Sequence, residues 1–65
     1  MATSIQTIET RVTKDDPPTQ LRQLGNRQHD LSAYGRSGYV LVNTVAIESL
    51  DYVTLVDTLQ RVDAD

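Results

Sequence analysis

At 65 residues and a formal net charge of −3, the chain has room for one small domain and lacks the basic surplus that phosphate-backbone binding needs. It contains no Cys, which excludes disulfides and thiolate metal sites, and its one histidine, His29, has no carboxylates at ligand spacing around it. A chain this short buries only about 60% of the surface its unfolded form exposes, so oligomerisation is the remaining way to enlarge the core.

The N-terminus has neither the basic start nor the apolar stretch of a signal peptide, and no apolar run approaches the ~20 residues of a membrane span. The expectation is a soluble, cytoplasmic protein. Ser4 to Thr13 is rich in Ile, Thr and Val, residues that suit a pleated and half-buried surface, and predicts an edge strand. Lys14-Asp15-Asp16-Pro17-Pro18 ends it. Proline fits the first turn of a helix, where N–H groups lack partners, and Asp16 is the expected N-cap.

From Pro17 to Arg36 the spacing turns helical, with Leu21, Leu24, Leu31 and Tyr34 on one stripe and Gln28 in its seam. Gly25-Asn26 interrupts the stripe, but Leu31 resumes it in phase, which predicts one helix with a weak point. Gly35 and Gly38 then supply the positive φ angles that close a helix and turn the chain. Tyr39 to Ile47 predicts a second strand, apolar on both faces: Tyr39, Leu41, Val45 and Ile47 one way, Val40, Val42 and Ala46 the other. A short loop over residues 48–51 leads to a third strand, Tyr52 to Val62. The predicted fold is α+β: a single β-α-β-β unit, a three-stranded mixed sheet of order 1-3-2 with one helix on one face. Residues 1–65 form one small domain, with 1–3 and 63–65 expected to fray.

Leu31, Tyr34-Gly35, Gly38-Tyr39, Leu41-Val42 and the segment Leu55-Val56-Asp57-Thr58-Leu59-Gln60-Arg61 resemble the DUF4177 family of small bacterial and phage proteins. That family reads Leu-Asn-x-Leu-Gly-x-x-Gly-Trp-x-Leu-Val ahead of a hairpin, and Tyr39 stands here in place of its Trp. The resemblance spans residues 31 to 61. It implies a βαββ fold and brings no catalytic residues.

No phosphate loop, paired-carboxylate site or nucleophile motif is present, so the chain reads as a non-enzyme without cofactor or metal. His29 reads as a solvated surface residue. Arg22, Arg27 and Arg36, with Tyr39 and Tyr52, are the candidates for holding a ligand or partner, because arginine grips anions and an aromatic ring stacks on a base. The backbone of Arg36-Ser37-Gly38 is a candidate anion-binding nest. Gln28 and Asp57 stand as polar groups on apolar stripes, which places them at the sheet's edge or, alternatively, where they fix the register of the oligomer or line a ligand pocket. One helix covers one sheet face, leaving Val56, Tyr52, Thr54 and Thr58 on the other as the expected oligomer interface. The functional expectation is a small homo-oligomeric binding or regulatory protein, of phage or mobile-element type, acting on a protein partner. The alternative is a binder of an anionic metabolite or nucleotide at a subunit interface.

Overall fold

In the computed structural model, which describes residues 2–63, β1 (Ala2–Thr13) leads into α1 (Pro17–Arg36), and β2 (Val40–Glu48) forms a hairpin with β3 (Tyr52–Asp63). The strands take in Ala2, Thr3 and Asp63; the rest of the expected frayed ends lies outside the described residues. The sheet order is β1-β3-β2, and both neighbouring pairs are antiparallel. β1 and β2 run parallel to each other without pairing, so the expected mixture of strand directions coexists with antiparallel ladders throughout. At one end of the sheet, Lys14 N–H donates to the Asp51 carbonyl at 3.0 Å and its Nζ to Glu48 Oε1 at 2.8 Å, clipping the end of β1 to the hairpin loop.

The helix is continuous through Gly25-Asn26, and space is open where a Cβ on Gly25 would stand. At its start Asp16 is extended, with φ −128° and ψ 95°, and its carbonyl accepts the Gln20 N–H at 2.8 Å. Pro17 and Pro18 fill the first two helical positions and have no N–H to offer. The Asp16 carboxylate accepts the Thr19 hydroxyl, at 2.6 Å, and makes no capping bond to a backbone N–H.

The other end closes as a Schellman turn. Tyr39 N–H donates to the Tyr34 carbonyl and Gly38 N–H to the Gly35 carbonyl, each at 3.0 Å. Gly38 carries the positive φ, 89°, that this turn requires. Gly35 does not: it stays helical, because the turn needs its left-handed residue only at the position after the cap. Tyr34 and Tyr39 make the apolar contact that accompanies the motif, ring centroids 5.3 Å apart and planes at 86°.

Two faces differ from expectation. The helical residues that turn toward the sheet are Gln20, Gln23, Arg27, Leu31 and Tyr34, whereas Leu21 is 72% and Leu24 42% exposed, and Gln28 is exposed. Polar side chains win this face because they have partners on the sheet. Gln20 Nε2 donates to the Thr13 carbonyl at 2.6 Å, and Thr13 N–H donates to Gln23 Oε1 at 2.9 Å. In β2, a bulge at Val42 shifts the register between Leu41 and Asn43. One extra residue reverses every later side chain. Val45 and Ile47 thus lie on the face away from the helix, with Val40 and Val42, while Thr44 and Ala46 face the helix.

The only apolar side chains buried among the described residues are Ile8 and Leu59. The molecule is a thin slab, 47 × 20 × 10 Å, with a radius of gyration of 13.7 Å against about 11 Å for a compact chain of this length.

Candidate functional site

At the centre of the slab a charge is buried. Asp57, in the middle strand, is fully buried and lies in register between Ile8 of β1 and Thr44 of β2. Arg27, halfway along the helix, donates from Nε to Oδ2 and from Nη2 to Oδ1 of Asp57, both at 2.8 Å. Thr44 Oγ1 donates to Oδ1 at 2.7 Å. Asp57 therefore does not sit at a sheet edge; it is the point where the helix and the middle strand lock together. The Arg27 guanidinium holds the Asp57 carboxyl below the usual carboxylate range, and the Thr44 hydroxyl adds to the effect against the opposing influence of burial. The same contact raises the pKa of Arg27. Three donors on one carboxylate leave it no role as a general base, and the group reads as a structural fastener.

A second polar cluster supports the Schellman turn. Arg61 lies over the Tyr39 ring, 4.8 Å from its centroid, and donates from Nη1 to the Ser37 carbonyl at 3.3 Å. Its Nε donates to Asp63 Oδ1 at 2.6 Å, and Ser4 Oγ donates to Asp63 Oδ2 at 2.6 Å. The Ser4 hydroxyl first, then Arg61, lowers the Asp63 pKa. Sequence reasoning missed Arg61 as the residue that covers Tyr39; the pairing of Val40 with Gln60, one residue away in each strand, brings the two together.

The five residues expected to hold a ligand do not share a site. Arg27 is committed to Asp57. Arg22 and Arg36 are exposed on the helix, and their separation of 14 positions spans about 21 Å. Tyr39 lies on the helix side near one end of β3, and Tyr52 lies on the opposite face at the other end, about 30 Å along the strand. Each tyrosine is stacked by an arginine of the sheet itself: Arg61 on Tyr39, and Arg11 on Tyr52 at 4.2 Å. The expected nest is closed as well, since the N–H groups of Ser37, Gly38 and Tyr39 all donate to helix carbonyls. His29 is exposed. No group of three or more potential metal ligands occurs among the described residues, and no helix is long and apolar enough to cross a membrane.

What remains is a surface. Residues directly opposite on antiparallel strands share a face, which gathers Val40, Val42, Val45 and Ile47 of β2 with Val56 and Val62 of β3 and Ile5 of β1 on the side away from the helix. All but the half-buried Val56 are exposed. Tyr52, Thr54 and Thr58 lie on the same face, as expected. Val40, Val42 and Val62 border an open depression with Gly38 and Gln60. Comparison with protein-family models, with curated proteins and with solved structures finds no match for this chain.

Proposed function

We propose that the chain is a non-enzymatic binding protein of the cytoplasm that folds as a homo-oligomer, burying the sheet face around Val56 against another copy and acting through contact with a protein partner. The observation that carries this reading is the contrast between a core of two apolar side chains and a sheet face with six exposed ones. Each such side chain forgoes about 1.5–3 kcal/mol by staying in water. A domain of this size has only about 3–5 kcal/mol from a single core. The DUF4177 resemblance belongs to the same proposal, as does the phage or mobile-element setting that it brings. The small-ligand reading ranks lower because its arginines and tyrosines are spread over two faces and both ends of the sheet.

Val56→Glu tests the reading. Val56 is flanked in register by Glu9 and Val45 at the middle of the face, so a carboxylate there adds like charge beside Glu9 and must be desolvated at the interface. Sedimentation is expected to show the variant as a smaller species than the wild type, with a lower Tm. A variant with unchanged mass and Tm refutes burial of this face.

A further inference from the structure

The sheet has two open edges, and they are unequal. The outer edge of β1 carries Glu9 and Arg11, the helix lies chiefly along this strand, and Gln20 and Gln23 occupy the backbone of Thr13. Charges and a covering helix are the usual means of blocking an edge from foreign strands. The edge of β2 carries a charge only at its last residue, Glu48. From Val40 to Ile47 it holds no charged residue and no proline, every residue is exposed, and the helix scarcely touches it. The accessible surface of the chain, 4611 Å², exceeds by about 500 Å² what a compact monomer of 7.2 kDa exposes. That excess is of the order that each partner gives up in a standard interface, about 800 Å².

From these observations we infer that β2 pairs antiparallel with β2 of a second copy, joining two sheets into one of six strands. This rests on the self-association proposed above and assigns it a second surface. A second copy is the occupant that the charge pattern favours. A strand whose one charge, Glu48, lies at its end meets itself about a central axis without opposing like charges, and antiparallel pairing of identical strands closes under a two-fold axis. The bulge fixes the register. Alternation is regular only after Val42, and the uncharged regular segment Asn43 to Ile47 has Val45 at its centre. Centring the axis there sets Val45 of one copy against Val45 of the other, keeps both helices on one side of the joined sheet, and sets Asn43 against Ile47.

The chain has no cysteine, so one introduced thiol reports this geometry without interference. Opposed residues of an antiparallel pair have Cβ atoms about 4.5–5.5 Å apart, near the reach of a disulfide. Val45→Cys is expected to oxidise to a covalent dimer at least tenfold faster than Ile5→Cys, a thiol at a still more exposed position on the other edge. Equal rates, or no link at Val45, overturn the pairing, while sedimentation of the wild type separately decides whether copies associate at all.

Discussion

Arg27 and Asp57, thirty residues apart in the chain, meet through two parallel hydrogen bonds of 2.8 Å beneath the helix, and the carboxylate is fully buried. A buried pair of this geometry is costly to break and no more stabilising than an apolar pair of the same shape. Arg27→Met strands the carboxylate and is expected to destabilise the fold by about 3–5 kcal/mol. The double variant Arg27→Met/Asp57→Leu is expected to recover most of that loss. Chemical denaturation of the two variants measures both, and a double variant as unstable as Arg27→Met would show that the pair does more than neutralise itself.

The same pair sets an acid limit. The folded-state pKa of Asp57 lies below its ordinary 3.8, with Arg27 as the main cause. A depressed carboxylate contributes stability that is full above its unfolded pKa and lost as pH falls through the folded one. Asp63, lowered by Ser4 and Arg61, acts in the same sense. The stability gap between wild type and Asp57→Asn is therefore expected to be constant above the ordinary range and to narrow as pH drops below 3.8. Urea midpoints measured from about pH 7 down to about pH 2 test this, and a gap that widens in acid contradicts it.

Gly38 is held at φ 89°, and an added Cβ would stand 3.4 Å from Arg61 Cδ. A β-branched residue in that backbone region is expected to cost about 1–3 kcal/mol. Ser37, at φ −91°, accepts such a residue without backbone strain. Gly38→Val should lower the denaturation midpoint well below that of Ser37→Val. Equal midpoints would remove the turn from its place at the helix end.

Much of this architecture was legible in the sequence. The switch of apolar period placed the three strands and the unbroken helix, and Gly38 marked the turn. Asp57 stood out as polar among Leu55 and Leu59. Its burial did not, because the partner lies on another element and only packing brings Arg27 over it. The helix stripe was misread for a related reason. Gln20 and Gln23 face the sheet through bonds to the Thr13 backbone, and hydropathy carries no record of such bonds. The single-residue bulge at Val42 leaves no compositional mark, yet it moves Val45 and Ile47 to the face where an interface is proposed. The arginines and tyrosines suggested a common site by residue type alone, and the topology distributes them.

If this slab owes its stability to association, its folding depends on concentration. Thermal unfolding of the wild type, run beside analytical ultracentrifugation across a hundredfold dilution, is the direct measurement. The expected result is a fall in both mass and Tm as the chain is diluted. A monomer at every concentration, with a constant Tm, would contradict it.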